Sequence, residues 1–329
     1  MERKEKILYH VELDGQGLEI GPSHSPIVPK KAGYKVDTID HMTREQLVEK
    51  YTSEDVKLEN IEEVDFVWSG QPYAKLTGKT AYYDWIIASH IIEHSTDFIG
   101  FLNDCDSIMK DIGVISLVVP DKRFCFDHFR PHTGIAEIID AHNKESTIHS
   151  PGTVAEFFLN IVYRDGQNGW DYLKEGEYEF VHQLDEARAE ISKAAGEDEY
   201  LDVHAWCFTP HSFRLIIHDL NALGLISLQE VSFFPTAGHE FYVTLGRKGT
   251  GTGLSRMEML KKVEDELQEV AMDKIKSRLA ATEENLDEAE SEIERIHASN
   301  SWKITGPLRK LRPLADSLAR LLRIKIRDA

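Results

Sequence analysis

The stretch Leu18-Glu-Ile-Gly-Pro-Ser-His-Ser-Pro26 decides the fold class of this chain, because it joins an apolar strand to a glycine turn. The strand carries an acid, Glu19, and Gly21 can adopt backbone angles that allow a ligand to approach the main chain closely. A second strand leads to Asp40, twenty-one residues after Glu19, where a carboxylate can accept both hydroxyls of a ribose. The G-x-G-x-x-G fingerprint is absent, which favours a nucleoside over a pyrophosphate ligand. The alternative is a loop that merely turns the chain.

Short apolar runs rich in β-branched residues predict further strands, and polar segments of helical spacing lie between several of them. This alternation predicts βαβ units and a mostly parallel sheet. The predicted strands are Gly17–Ile20, Lys35–Ile39, Val64–Trp68, Asp84–Ser89, Val114–Val119, Leu228–Phe234 and His239–Leu245, and two predicted helices are Arg44–Tyr51 and Phe98–Lys110. The last two strands flank the turn Pro235–Gly238 and predict a hairpin. We therefore expect an α/β fold with a Rossmann-like mixed sheet of seven strands, the last one antiparallel.

Composition divides the chain into four parts. Residues 1–248 look globular, and an insertion at 121–210 is too long for a structureless loop, so it should hold its own helices and cap a pocket. A flexible glycine linker at 249–254 precedes residues 255–300, which contain neither Gly nor Pro and predict a long helix. The remainder, 301–329, is a basic tail.

The apolar residues of the long helix predict a short C-terminal coiled coil through which chains associate. They form two blocks with 3-4-3 spacing, Leu260, Val263, Leu267 and Val270, then Leu279, Thr282, Leu286, Ala289, Ile293 and Ile296. The alternative is a single solvated helix that lies on the globular part.

The tail from Trp302 to Ala329 combines leucines with eight basic and two acidic residues. At the helical period one broad apolar face is formed by Leu308, Leu311, Leu314, Leu318, Leu321 and Leu322. Such a basic amphipathic helix fits an anionic membrane surface, such as the inner face of the plasma membrane, and it equally fits an acidic protein partner.

Composition also excludes several classes of protein. The formal net charge of −19 argues against nucleic-acid binding, which needs clustered Lys and Arg. Cys105, Cys125 and Cys207 lie far apart, which excludes a disulfide framework and suits a reducing compartment. The first residues lack an apolar signal core, and no apolar run approaches the roughly 18 residues of a membrane span. We therefore expect a cytoplasmic protein.

Several motifs resemble those of class I S-adenosylmethionine-dependent methyltransferases. More narrowly, the chain resembles the bacterial methyltransferases encoded with, or fused to, glycosyltransferases of surface-polysaccharide assembly. The stretches that carry the resemblance are LEIGPSHSPIVPKKAGYKVDTIDH, IEEVDFVWSG, DWIIASHIIEHSTDFIGFLNDC, GVISLVVPDKRFCFDHFRP, DVHAWCFTPHSF and the tail phrase SNSWKITGPLRKL. They extend over nearly the whole chain.

The resemblance implies S-adenosylmethionine as the cofactor and assigns its contacts residue by residue. Glu19 would hold the methionine amino group, Gly21 would lie under the cofactor, and Asp40 would bind the ribose. The other implied cofactor contacts are Pro22 and Ser23 in the glycine turn, Ser69 and Gly70 after the third strand, and Ser89 at the end of the fourth. The usual third glycine of the turn is missing from this sequence.

The acceptor of the methyl group decides which other residues the reaction needs. Methyl transfer is an in-line displacement, so the protein mainly supplies alignment and removal of water. A sugar hydroxyl must also lose a proton to a base, for which the candidates are His90, Asp121 and His128. The predicted substrate contacts are Lys122, Arg123 and Arg130 as anion clamps for a phosphate, with His204 and Trp206 closing the pocket. The predicted reaction is O-methylation of a saccharide or its phosphate in surface-glycan synthesis, with a glycosyltransferase as partner.

Two other functions stay open. His90-Ile-Ile-Glu-His94 spells H-x-x-E-H, in which two histidines on a helix share a zinc ion and Glu93 activates water. The motif follows a strand end and lacks a third ligand, which argues against it, so no metal is predicted. The degenerate glycine motif also fits a non-catalytic scaffold that senses a nucleoside and recruits glycosyltransferases to the membrane.

Overall fold

The computed structural model describes residues 1–53, 55–170, 176–196 and 200–305, with the backbone alone at 269–278, 280, 281 and 283–285. The predicted basic tail therefore lies outside the described residues from 306 onward. The chain divides into two compact units, Met1–Leu267 and Gln268–Ala329.

The strands are β1 (Gly17–Ile20), β2 (Val36–Asp40), β3 (Phe66–Val67), β4 (Tyr83–Ser89), β5 (Met109–Pro120), β6 (Val162–Arg164), β7 (Tyr178–Phe180), β8 (Gln229–Ala237) and β9 (Glu240–Gly246). The helices are α1 (Arg3–Ile7), α2 (Arg44–Tyr51), α3 (Tyr73–Thr77), α4 (Phe98–Ile108), α5 (Ile135–Asn143), α6 (Pro151–Asn160), α7 (Leu184–Gly196), α8 (Pro210–Ala222), α9 (Arg256–Ala298) and α10 (Asn300–Ile304).

Seven strands form one sheet in the order β3-β2-β1-β4-β5-β9-β8. The first five in this order pair in parallel, and β9 lies antiparallel between β5 and β8. This confirms the predicted Rossmann-like mixed α/β sheet with an antiparallel last strand. The order reverses between β1 and β4, which is the point where open α/β sheets bind ligands beyond the carboxyl ends of their strands.

Both faces of the sheet are covered, which explains why its central strands are near-continuous apolar runs. On one face, Leu18 and Ile86 belong to the main core. On the other face, Trp85 and Ile87 pack in a second core with Ile7 of α1. Because neighbouring residues of a strand enter different cores, a slip of one residue would exchange the two sets between cores that they do not fit, and the register of each strand is fixed.

The insertion and the hairpin were both predicted from the sequence, and the hairpin differs from the prediction in its turn. The insertion holds α5, α6 and α7 and a separate two-stranded sheet of β6 and β7, so the predicted helices are present. The hairpin turn is shorter than predicted, because β8 continues through Pro235 to Ala237 before the chain reverses at Gly238. A register shift between Phe234 and Ala237 accommodates the proline, and an edge strand tolerates its missing N–H.

The predicted flexible linker is bonded to the edge of the sheet. The N–H of Gly251 donates to the carbonyl of Glu230 at 3.0 Å. The first turns of α9 then pack on the same unit, where Met259 and Val263 are buried. The first compact unit accordingly extends to Leu267, beyond the predicted boundary at 248.

In the second unit, the described backbone is helical to Ala298 and again in α10. Leu279, Leu286 and Ile293 follow one another at seven-residue intervals and are 56%, 57% and 52% exposed. The coiled coil stays a prediction. Among the described residues, every helix is too short or too polar to reach across a bilayer.

Gly17→Ala is expected to destabilise the first unit, because a Cβ at this position would lie 2.0 Å from ring atoms of the fully buried Trp85. We expect a loss of about 1–3 kcal/mol in the free energy of unfolding, as for other overpacked cores, measured by denaturant titration. Gly152→Ala in α6 is the control, since its nearest contact would be the Ser150 hydroxyl at 3.6 Å. Equal stabilities of the two variants would contradict this packing.

Candidate active site

The turns after β1, β2, β3 and β4 meet at one edge of the sheet, because these strands are parallel neighbours. Gly21 begins the first turn with a φ of 65°, and a Cβ there would lie 2.2 Å from Cδ1 of Ile91. Only glycine fits both the left-handed backbone and this close approach. Its N–H donates to the carbonyl of Ile39 at 2.8 Å, which ties the turn to β2.

Asp40 ends β2 and connects this strand to the glycine turn. Its buried carboxylate accepts the N–H of Ser23 at 3.2 Å through Oδ2 and the N–H of His41 at 2.8 Å through Oδ1. Nδ1 of His41 lies 2.7 Å from the same Oδ1. A carboxylate has about four lone-pair positions, so Oδ2 retains a position for a hydroxyl donor.

The loop after β3 lies next to Asp40, whose carbonyl accepts the N–H of Trp68 at 2.8 Å. In this loop the N–H of Ser69 donates to the side-chain oxygen of Gln71 at 2.8 Å, and Gly70 has a φ of 95° with open space around it. The structure thus brings to one edge the residues predicted from the resemblance, Gly21, Pro22, Ser23, Asp40, Ser69, Gly70 and Ser89. That they bind a cofactor stays a prediction.

Glu19 lies on the same face of the sheet as Asp40, since it is paired with Thr38, two residues before Asp40. It is 2% exposed, and its oxygens accept the N–H groups of Ile27 at 2.7 Å and Val28 at 3.2 Å. Burial raises the pKa of Glu19 to about 7, although both N–H groups oppose this shift. The carboxylate predicted to hold a methionine amino group therefore anchors the loop after the glycine turn.

His90 follows β4 with a φ of 56°, an angle that non-glycine residues rarely adopt outside constrained sites. Its Nε2 lies 2.8 Å from Oε2 of Glu240, which also binds Arg3 and the hydroxyl of Tyr242. Burial opposes the charged ring, but the hydrogen bond to Glu240 and the nearby carboxylate of Glu93 outweigh it and raise the pKa of His90 to about 9. The ring is charged at neutral pH, so His90 is not suited to be the predicted base.

A second group of side chains, here named the Glu93 cluster, consists of Glu93, His94, Asp127, Asp202 and His204. Nδ1 of His204 donates to Oδ2 of Asp127 at 2.5 Å, and Nδ1 of His94 lies 2.8 Å from Oδ1 of Asp202. The two imidazole rings meet edge to face with 4.5 Å between their centroids. Glu93 is fully buried, and within the described ranges neither of its oxygens has a hydrogen-bond partner.

Both aspartates of the Glu93 cluster are ionised at neutral pH. Burial favours the neutral form of Asp127, but His204 and Arg130 outweigh it and hold the pKa of Asp127 well below its usual range. The His94 ring, in an ion pair with Asp202, likewise holds the pKa of Asp202 low against partial burial. Asp127 therefore fixes a proton on Nδ1 of His204, and Nε2 is the nitrogen of that ring left for other partners.

The H-x-x-E-H interpretation is wrong for this chain. The segment forms only a short 3-10 turn, Ile92–His94, so His90 and His94 do not lie on one face of an α-helix. His90 groups with His239 and Glu240, whereas His94 groups with Glu93 and His204. The two histidines of the motif therefore belong to different clusters.

The charged residues directly after β5 satisfy one another inside the protein. Asp121 is fully buried and accepts hydrogen bonds from Nη2 of Arg123 at 2.7 Å and from the hydroxyl of Thr236 at 2.6 Å. Nζ of Lys122 donates to the carbonyl of His128 at 2.9 Å. Asp121 is thus engaged rather than poised as a base, and Lys122 and Arg123 are not open anion clamps.

Three further predicted residues also have structural partners. Arg130 is buried and donates to Oδ1 of Asp127 at 2.8 Å. His128 lies 2.7 Å from the carbonyl of Arg123 through Nδ1 and stacks on Tyr178. Trp206, predicted to close the pocket, is instead part of the main core, and its indole N–H donates to the carbonyl of Ser95 at 2.7 Å. Of the predicted acceptor residues, His204 alone lies in the Glu93 cluster.

Sequence reasoning missed the partners that complete this cluster. Asp127 and His204 are 77 positions apart, and no spacing rule connects them. The short motif Asp202-Val-His204 was a usable signal, because alternate residues of an extended segment can serve one site.

A scan against family models and a search of curated proteins each found no match. Similar solved structures include a SAM-dependent methyltransferase from Aquifex aeolicus, with 12% identity, 74% of this chain and 88% of that chain covered, and a TM-score of 0.36. One from Methanosarcina mazei has 12% identity, coverages of 73% and 95%, and a TM-score of 0.37. The complex of DhpI with SAH has 14% identity, coverages of 71% and 77%, and a TM-score of 0.34. Likenesses this weak carry no argument about cofactor or reaction.

The buried Glu19 predicts a pH-dependent stability. Its folded pKa of about 7 lies above the ordinary 4.5, so its contribution is fully present below pH 4.5 and is lost as the pH rises through 7. The loss amounts to about 3 kcal/mol. We expect the unfolding free energy of the wild type relative to Glu19→Gln to fall by this amount over that interval, measured by denaturant titration. Glu49→Gln makes the same change at an exposed position and is the control. A difference between the wild type and Glu19→Gln that varies with pH no more than the difference for this control would contradict the prediction.

Proposed function

We propose that this chain transfers a methyl group from S-adenosylmethionine to an oxygen atom of a saccharide. The observation that carries the proposal is the position of Asp40, whose carboxylate lies at the end of β2 beside the glycine turn at the switch point of the sheet. The Glu93 cluster begins four residues after the end of β4, at the same edge. A nucleoside site and proton-accepting groups therefore lie at the same edge of the sheet.

The residues present fit an adenosyl group. Gly21 places no side chain in the turn, and Oδ2 of Asp40 retains capacity for a ribose hydroxyl. A Cβ at Gly70 would meet no other atom within 4 Å, so the loop after β3 leaves room there for a planar base. S-adenosylmethionine, when bound, supplies a methyl group on a positively charged sulfur.

The residues of the chain must align the acceptor, exclude water and take its proton. Asp127 holds His204 with Nδ1 protonated, so Nε2 of His204 is the atom that accepts the hydroxyl proton. Glu93 is fully buried, so its carboxylate is shielded from bulk water. His90, ion-paired with Glu240, holds the chain after β4 in its left-handed turn.

The pairing of the basic residues favours a hydroxyl acceptor over a phosphate. Lys122, Arg123 and Arg130 are all buried and donate to oxygens of the protein itself. A phosphate would have to displace the contacts of Lys122 and Arg123, whereas Nε and Nη2 of Arg130 are buried without a hydrogen-bond partner among the described residues. The saccharide class, a glycosyltransferase partner and a location at the cytoplasmic face of the membrane rest on the sequence resemblance and on the basic tail.

Asp40→Ala is expected to weaken binding of S-adenosylhomocysteine by about tenfold to a hundredfold, since a hydrogen bond to a charged group contributes about 1.5–3 kcal/mol. Isothermal titration calorimetry measures the affinity. Asp111→Ala, an exposed aspartate near the amino end of β5, is the control and should bind as the wild type does. Equal affinities of the two variants, or no binding by the wild type, would refute the site.

Turnover separates this proposal from the scaffold alternative. Incubation with methyl-labelled S-adenosylmethionine and a glycan fraction should transfer label to the glycan. Binding of the nucleoside without transfer to any saccharide acceptor would support the scaffold instead.

We also propose that the exposed apolar residues of the second unit associate with a second copy of this chain. Ile293→Lys and Leu286→Lys should each shift the oligomer towards monomer in light scattering, because each removes an apolar contact of about 2 kcal/mol per chain. Ser291→Lys adds the same charge at an exposed position outside the stripe and should leave the mass unchanged. A wild-type chain that is monomeric at high concentration would contradict the proposal.

A further inference from the structure

We propose that Glu93, His94 and His204 bind one divalent transition-metal ion. Each of these residues offers a ligand atom, and the three atoms lie within 4.8 Å of one another. This spacing allows one ion to contact all three with small side-chain movements. The site itself rests on these contacts, whereas its part in catalysis rests on the proposed function.

The carboxylate of Glu93 is the strongest indication of a missing partner. The residue is fully buried, and within the described ranges neither of its oxygens accepts a hydrogen bond. His90 offers its Nδ1 at 3.5 Å from Oε1, an ion pair that leaves the hydrogen-bonding capacity of the carboxylate unused. A buried carboxylate without hydrogen bonds is costly, and a cation at this position would remove the cost.

One of the two histidines, His204, is held as metal ligands commonly are. Asp127 holds Nδ1 of His204 at 2.5 Å, and Asp202 lies 2.8 Å from Nδ1 of His94. Histidines that bind metals commonly donate their other ring N–H to a carboxylate, which fixes the tautomer and makes the free nitrogen a stronger ligand. His204 has this arrangement, whereas His94 forms an ion pair with Asp202 that lacks hydrogen-bond geometry.

The backbone and a buried ion pair hold the ligand-bearing segments together. The N–H of Ala205, next to His204, donates to the carbonyl of Glu93 at 2.7 Å. Arg130 donates to the second oxygen of Asp127 at 2.8 Å, which keeps that carboxylate in place. The ligands therefore come from two chain segments that are already joined in the fold.

The donor set selects the class of metal. Two imidazole nitrogens and one carboxylate suit Zn²⁺, Fe²⁺, Co²⁺ or Ni²⁺, whereas Mg²⁺ and Ca²⁺ prefer oxygen ligands. Three protein ligands leave a coordination position for an acceptor hydroxyl, as in catalytic zinc sites. The bound hydroxyl would lose its proton to solvent, and its oxygen would bond the methyl carbon while the carbon–sulfur electron pair stays on sulfur. The ion would then replace Nε2 of His204 as the activating group.

The neighbouring group of His90, His239 and Glu240 provides a matched control. Glu240 already binds the guanidinium of Arg3 at 2.6 Å and the hydroxyl of Tyr242, so its charge is compensated. His239 is exposed and can be replaced by Ala without creating a cavity in the core.

Titration of the metal-free full-length chain with Zn²⁺, followed by calorimetry, tests the site. We expect one ion per chain in the wild type and at least a hundredfold weaker binding in Glu93→Gln and His204→Ala. Asp202→Asn should lower the affinity about tenfold to a hundredfold through His94 alone, and Co²⁺ should give a visible absorption band that these variants lose. His239→Ala should bind as the wild type does.

Absence of Zn²⁺ binding in the wild type, or binding that survives both Glu93→Gln and His204→Ala, would overturn the proposal. Circular dichroism of each variant shows whether it folds, and Asp202→Asn changes a partly exposed residue that the core does not need. Titration of the metal-free chain with S-adenosylhomocysteine is a separate readout, so failure of the metal site and failure of the nucleoside site are distinguishable.

Discussion

Parallel pairing of β1 with both β2 and β4 is the constraint on which the candidate site depends. The register places Ile20 opposite both Ile39 and Ala88, so the three strands end at the same edge of the sheet. The glycine turn, Asp40 and His90 therefore lie at the same edge of the sheet, because each lies at or directly after the end of one of these strands. The same alternation fills both faces of the sheet with apolar residues, so a slip in register would cost the two cores as well as the site.

The Glu93 cluster depends on a different kind of constraint, the placement of buried charge. Glu93 follows the end of β4, whereas Asp127 and His204 come from the insertion and from the segment before α8. On the other side, α1 supplies Arg3 to neutralise Glu240 and so positions His90. Pairs of opposite charge thus hold together segments that are remote in sequence. Such pairs are strong where water is excluded.

The sequence was sufficient for the sheet and insufficient for the charged groups around it. The strands and the antiparallel hairpin follow from apolar periodicity, and Gly21 and Asp40 follow from their positions at strand ends. The contacts of Glu19 depend on where the loop places the N–H groups of Ile27 and Val28, which no periodicity encodes. For the same reason the sequence analysis predicted Arg123 as an anion clamp, although its guanidinium forms an ion pair with Asp121.

A crystal structure of this chain with S-adenosylhomocysteine would show whether Asp40 binds a nucleoside. We expect electron density for the ribose within hydrogen-bond distance of the Asp40 carboxylate, with the sulfur directed towards the Glu93 cluster. Density for the nucleoside at any other edge of the sheet, or a glycine turn that stays closed against the compound at saturating concentration, would contradict it.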